Sequence, residues 1–476
     1  MPSDLPAASR VRARAVGLLT RRPSWGAVIG VVVAGAGFVL GARPLRDNSF
    51  LTHLATGRLI LDTGSVPSHD PYTLTAGGEP WVVQSWLVSV AYATVEALGG
   101  LTAVRVLGGL LVALVVVIGW RLLRSADSLV PRLALMALFL VVCAQSWAER
   151  PLMVGLVAFG VVMLCVEERW DPRWLAPLGW VWANSHGSHP LGVAYLLLLI
   201  AGARLDRCDD RHERRALGWL VVGVLLGVVG PLGVEVLRFP VRLLTRREVL
   251  SGVIEWRAPT YDELGQQAFV VALVLTVLAL VRRPSYRRAL VAAAFAAAAI
   301  TSLRNVPVAM LVVLPVLADA VGEVGSLRSS IRPAIGRFAV VSLAALAVLV
   351  GVLRVQSEPL DLRAYPIEPL ARWEQEGRPG LLVTEDFVGN LQTFVYGADA
   401  ASFYDDRFDM FPDDLTEQYR AVAAAGPRSR STLDALGADA VLWERRDPIV
   451  SVLLADPAWR ADLIDDRWVL LRRRAG

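Results

Sequence analysis

Apolar runs of near-membrane length recur along the chain, and they restrict its fold more than any other feature. They lie at roughly Trp25–Ala42, Leu101–Leu122, Pro131–Trp147, Leu152–Val166, Trp174–Asn184, His189–Ala203, Ala216–Gly230, Gln267–Val281, Ala289–Leu303, Val306–Val321 and Phe338–Val352. The hydrocarbon core of a bilayer offers no water to a bare backbone amide, so such runs are read as transmembrane helices. Composition agrees. The chain is 55% hydrophobic with 19% charged residues and a mean hydropathy of +0.49, whereas a soluble domain carries about 25% charge. The expected fold is an α-helical polytopic membrane protein with about eleven transmembrane helices, followed by a small α/β domain.

Arginine placement sets the expected orientation. All 48 basic residues are arginine, and they gather in the links Arg121–Arg132, Arg204–Arg215, Arg282–Arg288 and Arg328–Arg337. Cytoplasmic loops attract such residues. With Gln84–Gly99 read as a helix at the interface rather than a further span, eleven crossings put the tail 1–24 in the cytoplasm and the C-terminus outside. The basic pI of about 9.2 is explained by this flanking pattern, which excludes nucleic acid as a partner. Cys143, Cys165 and Cys208 show no paired or metal-ligand spacing, so neither a disulfide framework nor a zinc site is expected. The chain divides into the tail 1–24, a membrane domain 25–354 that includes an outer loop 43–87, and a domain 355–476. In the last, strands are expected at Gly380–Thr384, Ala438–Trp443, Trp468–Arg472 and, more weakly, Ala400–Tyr404, with helices at Asp413–Ala425 and Arg428–Leu436.

This orientation leaves the unusual polar residues on one face. The loop 43–87 carries Asp47, His53, His69 and Asp70. Asp47 fits either a base that takes a proton from an acceptor hydroxyl or a cap for the helix starting near Ser49. Asp70 precedes Pro71 in a turn signal that has a purely local explanation as well. The segment 50–61 places apolar residues at 50, 51, 54, 59 and 61, as in a short interfacial helix. Glu149-Arg150-Pro151 puts charge at the end of a span, where charge is costly and function is the default reading. Asn184-Ser185-His186-Gly187-Ser188-His189 is a polar hinge that suits a phosphate. Its two histidines lack the third ligand a metal needs. Glu255-Trp256-Arg257 and Arg304-Asn305 complete the face. Arg150, Arg257 and Arg304 are the candidate clamps for a lipid-linked phosphate, because guanidinium binds phosphate through two donors. In the tail, Tyr404-Asp405-Asp406-Arg407-Phe408-Asp409-Met410 is dense in acids, and its carboxylates are read mainly as loop caps and ion pairs.

The order of these pieces resembles polytopic membrane proteins of the GT-C glycosyltransferase superfamily. The matching residues are Asp47…His53-Leu54-Ala55-Thr56-Gly57, Gly64-Ser65-Val66-Pro67…Asp70-Pro71-Tyr72…Thr75, Gly78…Pro80-Trp81-Val82 and Trp86-Leu87. They continue with Arg150-Pro151, Trp182 to Ser188, Pro231-Leu232-Gly233, Glu255-Trp256, Arg304-Asn305-Val306-Pro307 and Asp406-Arg407…Asp409-Met410. The resemblance implies transfer of a sugar from a polyprenyl-phosphate donor to an extracytoplasmic cell-envelope glycan, lipid or protein. It makes Asp47 the leading catalytic acid and Asp70 the second, with His53, His69, Arg150, Asn184, His186, Glu255, Arg257 and Arg304 as substrate and phosphate contacts. No cofactor is fixed by it, and a divalent cation is left open. The chain departs from the pattern at Ser49 and Ser85, where the group often carries acids. A transporter or lipid-handling protein, or a degenerate scaffold of the same architecture, is the competing class.

Overall fold

The computed structural model describes residues 25–245, 253–322 and 333–474. The tail 1–24 and positions 328–332 of the last arginine-rich link fall outside the described residues. Every expected apolar run is helical: α1 Trp25–Gly41, α3 Trp86–Leu122, α4 Leu129–Cys143, α5 Leu152–Glu167, α6 Leu175–Ser185, α7 His189–Leu205, α8 Arg211–Leu226, α10 Leu264–Arg282, α11 Tyr286–Thr301, α12 Val306–Val321 and α13 Pro333–Val355. Between them lie α2, Asn48–Thr63, and α9, Glu235–Thr245.

Among the described residues, four helical segments are long and apolar enough to cross a membrane: Trp86–Ser125, Leu129–Ser146, Leu264–Arg282 and Leu303–Val321. The count of about eleven spans is therefore not supported. The reason is length, since an α-helix rises about 1.5 Å per residue. An 11-residue helix such as α6 reaches only about half of the roughly 30 Å hydrocarbon core. Of the four segments, Leu303–Val321 is the centre, with 72% of its apolar window buried against 28 to 39% for the others. Every residue from Val306 to Ala318 is buried, which is the signature of a helix that is apolar all round and enclosed by other helices.

α3 is two helices in one. Gly99 and Gly100 break the helical dihedrals, Gly100 with φ +67°, a region that L side chains avoid. Its first half packs on α2 so closely that a Cβ on Gly57 would lie 1.9 Å from the Ser89 carbonyl oxygen. The expected helix at 50–61 is thus present, but its apolar face is covered by protein rather than lipid. Phe50, Leu51 and Leu54 share one core with Val88 and Tyr92 of α3 and with Leu382, Val388, Trp468 and Leu470 of the C-terminal domain.

That domain carries a four-stranded sheet in the order β1, β2, β4, β3: β1 Leu381–Thr384, β2 Ala438–Glu444, β3 Trp459–Ile464 and β4 Trp468–Arg473. β1 runs parallel to β2, Val383 beside Val441. β4 is antiparallel to both of its neighbours, with Leu471 opposite Val441 and Leu463 opposite Leu470. Helices α14 Ile367–Gln375, α15 Asp386–Tyr396, α16 Asp413–Ala423, α17 Ser429–Ala435 and α18 Pro448–Leu454 accompany the sheet. β3 was not expected, because its partly exposed sequence WRADLI lacks a clean alternation. Ala400–Tyr404 is not a sheet strand. Its Ser402 instead bridges Thr73 of the loop, with Leu74 N donating to Ser402 O at 2.8 Å. Leu45 makes the same kind of bridge to Leu360. Loop 43–87 is stitched to the C-terminal domain at both ends.

The α2–α3 contact gives a stability test. Gly57→Ala forces the helices apart and should cost about 1–3 kcal/mol, the usual range for overpacking. Gly218→Ala on α8 adds a Cβ that meets nothing within 4 Å and should be neutral or stabilise by up to about 1 kcal/mol through helix propensity. Thermal unfolding in detergent measures both, and equal losses would refute the close approach.

Candidate functional site

A cavity of about 690 Å³ opens where the helix array, loop 43–87 and the C-terminal domain meet. Its polar wall gathers Ser49, His53, Arg150, His186, Glu255, Trp256, Arg304, Asp386, Asp406 and Arg407. Its other wall is apolar, with Leu156, Phe159, Leu191, Phe239, Leu243 and Val308. Five of the ten residues singled out from the sequence line it: His53, Arg150, His186, Glu255 and Arg304.

Asp47 stands behind this wall. Its Oδ1 accepts from Ser49 N at 3.1 Å, so it caps α2, and its Oδ2 takes Arg150 Nε at 2.6 Å. Arg150 also pairs through Nη1 with Glu255. Its charge is shared between two carboxylates, which makes it a positioning group between loop 43–87 and the segment 253–257. Arg304 is placed differently. Its guanidinium sits over the Trp256 ring, 4.2 Å from the centroid, and among the described residues no carboxylate or carbonyl accepts from it. A cation held partly out of water without a partner is unfavourable by several kcal/mol, and an anion would remove that penalty. Of the three arginines read as phosphate clamps, the geometry selects Arg304. Arg257 is exposed and does not line the cavity, although its carbonyl accepts from Leu303 N at 2.9 Å and so fixes the approach of Arg304.

The two cavity histidines are neutral. Burial, with Arg150 adding to it, pushes His53 down to about 4, and its Nδ1 lies 3.2 Å from Ser89 Oγ. Burial pushes His186 down to about 3, with Arg304 and the two neighbouring histidines acting in the same direction. Ser188 N donates to His186 Nδ1 at 3.2 Å, and Ser188 Oγ lies 2.8 Å from the same atom. Nδ1 is therefore an acceptor, and the ring's proton sits on Nε2, available to a ligand oxygen. Asn184 is buried outside the cavity. Its Oδ1 accepts from Trp86 Nε1 at 2.9 Å, which ties α6 to the start of α3.

Asp70 is not in the cavity. It is fully buried, 2.7 Å from Arg407 Nη1, and accepts from Tyr72 N at 3.2 Å and Thr73 N at 3.0 Å. Arg407 also forks onto Asp405, Nη2 to Oδ2 at 2.6 Å, and its guanidinium lies over Trp81, 4.4 Å from the centroid. Trp81 is therefore a wall of this ion cluster. His69 is exposed, with Nδ1 3.0 Å from Ser68 Oγ, and takes no part in the cavity.

Apart from Glu255, which Arg150 holds, the acids that reach the cavity come from the C-terminal domain. Asp406 accepts from Ser49 Oγ and, at 3.5 Å, from Asn48 Nδ2. Burial, reinforced by Asp405 and Asp386 and opposed by Ser49 and Arg150, pushes its carboxyl up to about 7. Asp386, just past the end of β1, is also raised by burial. The sequence marked the stretch around Asp406 as acid-rich and left it structural. Asp386 carried one usable signal, its place at the carboxyl end of a buried strand where α/β domains put ligands. Neither Asp47 nor Asp70 is available to a divalent cation, each being held by an arginine. Among the described residues no group of three or more His, Cys, Asp or Glu has metal-binding geometry, so the side chains do not fit such an ion.

Compared with known proteins, the chain matches no family model and no curated protein.

The placement of Asp47 and Asp70 separates their energies. Asp70→Ala leaves Arg407 with one carboxylate in a buried site and should cost about 3–5 kcal/mol. Asp47→Ala removes a helix cap worth about 1 kcal/mol, together with one of Arg150's two partners. Unfolding in detergent should rank Asp70→Ala as the more damaging, and wild-type stability in that variant would refute the buried pair.

Proposed function

We propose that the chain is a membrane glycosyltransferase that moves a sugar from a polyprenyl-phosphate donor to an extracytoplasmic cell-envelope acceptor, with inversion of the anomeric centre. The observation that carries this reading is Arg304: a cation over Trp256 without an anionic partner among the described residues, between a polar wall and the apolar wall of Phe159, Phe239 and Val308. A lipid phosphate supplies both halves of that match, an anion and an alkyl chain. A volume of about 690 Å³ also suits a sugar phosphate, since small-molecule sites run from about 300 to 1,000 Å³.

The chemistry needs little beyond what the wall offers. The leaving phosphate already activates the sugar, so the protein must position donor and acceptor, take one proton and meet the charge that builds on the departing oxygen. Arg304 and the Nε2–H of His186 are placed for the last task. Arg150, held by Asp47 and Glu255, keeps the wall in register. In this reading the membrane domain crosses the bilayer about eleven times. The N-terminus lies in the cytoplasm, and the C-terminal domain lies outside as the roof of the site. The protein belongs to the plasma membrane.

Transfer from a radiolabelled polyprenyl-phosphate sugar in membranes tests the reading. A hydrogen bond to a charged group is worth about 1.5–3 kcal/mol, so Arg304→Ala should weaken donor binding by roughly 10- to 150-fold while unfolding as the wild type does. Unaltered donor affinity would remove Arg304 from the site. Absence of transfer from any donor, with lipid phosphate still bound, would instead place the chain among lipid-handling proteins.

A further inference from the structure

We propose that Asp406, carried by the C-terminal domain, is the catalytic carboxylate that takes the proton of the acceptor hydroxyl, and that Ser49 and Asn48 position it. The inference rests on the transferase reading and goes beyond it by naming the base and by placing that base outside the membrane domain.

Three observations converge on this residue. First, neither of the two loop acids singled out from the sequence, Asp47 and Asp70, lines the cavity. Asp47 is held by the helix end and by Arg150, and Asp70 is sealed under Arg407 away from the cavity. Second, Asp406 lines the cavity on the wall that also holds Ser49, His53 and Arg150. Both described hydrogen bonds to its side chain, from Ser49 Oγ and Asn48 Nδ2, reach the same oxygen, Oδ2. They fix the carboxyl group's orientation and leave Oδ1 unengaged by either. Third, the two neighbours of Asp406 in the chain are locked, Asp405 and Arg407 being paired to one another and Arg407 to Asp70. A group pinned on both sides and oriented through one oxygen is preorganised, as a general base has to be.

The step balances without any further reactant. The acceptor O–H bond breaks and its proton moves to Asp406 Oδ1. The freed oxygen pair forms the bond to the anomeric carbon as the bond from that carbon to the phosphate oxygen breaks. The electron pair of that bond leaves with the lipid phosphate, whose charge Arg304 meets. The proton on Asp406 is then lost to water when product departs.

The charged groups around Asp406 set the pH dependence. Asp405 and Asp386 hinder its ionisation, and Ser49 and Arg150 favour it, on top of the burial that raises its carboxyl to about 7. Arg407 and Asp409 border the same cavity. A base acts in its ionised form, so kcat/KM should rise with pH through an acid limb near 7. Removing the Ser49 hydroxyl takes away a bond to the ionised form and should move that limb to higher pH.

The test measures kcat/KM against pH, in membranes, for wild type, Asp406→Asn, Asp406→Glu and Ser49→Ala, with donor binding as a separate readout. Expected for Asp406→Asn is a loss of about 10²- to 10⁴-fold, the range for general acid–base catalysis, with the acid limb abolished and donor affinity kept. Asp406→Glu should recover part of the rate. Ser49→Ala, which leaves the carboxylate in place, should retain turnover with a displaced limb, so the proposal stays testable even where Asp406→Asn fails to fold. Wild-type turnover with an unchanged limb in Ser49→Ala, or with the rate kept in Asp406→Asn, overturns the role of Asp406 and leaves the transferase reading standing. Absence of turnover in the wild type with every donor overturns both.

Discussion

The pairing of Arg407 with Asp70 and Asp405 is the contact on which the geometry of the cavity depends. The three charges are almost wholly buried, the side chains being 7% exposed for Arg407 and 0% for the two acids. Such a group is stable only when each charge is met. Asp70 belongs to the loop after the first helix and Asp405 and Arg407 to the C-terminal domain, so the pairing joins segments remote in the chain and sets the C-terminal domain on the helix array. Backbone bridges at Leu45–Leu360 and Thr73–Ser402 extend the same seam. The apolar cores on either side contain residues of both segments: Tyr72 and Trp81 with Phe403 and Trp443 in one, Phe50 and Leu54 with Leu382 and Trp468 in the other.

Arginine has two roles in this molecule, and the distinction separates scaffold from site. Arg105 is completely buried and donates to carbonyls at the ends of two helices, Ala42 O at 3.1 Å and Arg354 O at 2.9 Å, and to Ser357 O at 2.7 Å in the linker beyond. Helix C-termini carry unsatisfied carbonyls and partial negative charge, so one guanidinium holds α1, α13 and the linker together. Arg150 and Arg407 bridge acids from distant segments in the same way. Arg304 has the cavity in front of it and an indole behind it, the arrangement of a cation kept for an incoming anion.

Part of this site was legible because the unusual polar residues stand out in the links between apolar runs. His53, Arg150, His186, Glu255 and Arg304 are far apart in sequence, yet each sits in a link between apolar runs, and all five line one cavity. Asp47 and Asp70 stand apart from the cavity for a physical reason that the sequence does not display. A carboxylate near a membrane surface looks reactive until its partner is known, and for these two the partners, Arg150 and Arg407, lie more than a hundred residues away in the chain. The same blindness hid Asp406: in sequence it is one acid among several, and its distinction is the Ser49 hydroxyl that meets it across the seam. Ser49 had been a departure from the expected pattern, and in space a carboxylate stands beside it. The expectation of about eleven crossings is not supported by helix length, because hydropathy locates a helix more surely than it tells whether that helix traverses the bilayer.

The sequence by itself determined that the chain is an array of apolar helices with a small mixed domain behind it, because local hydrophobicity fixes where helices form and where water is excluded. It also determined which links carry the unusual polar residues. Only the tertiary structure decided which of those residues face one cavity, which acids are consumed by buried arginines, and that the C-terminal domain supplies a wall of the site. Those outcomes depend on ion pairs and packing between segments remote in the chain, and no local pattern encodes the partner of a charge.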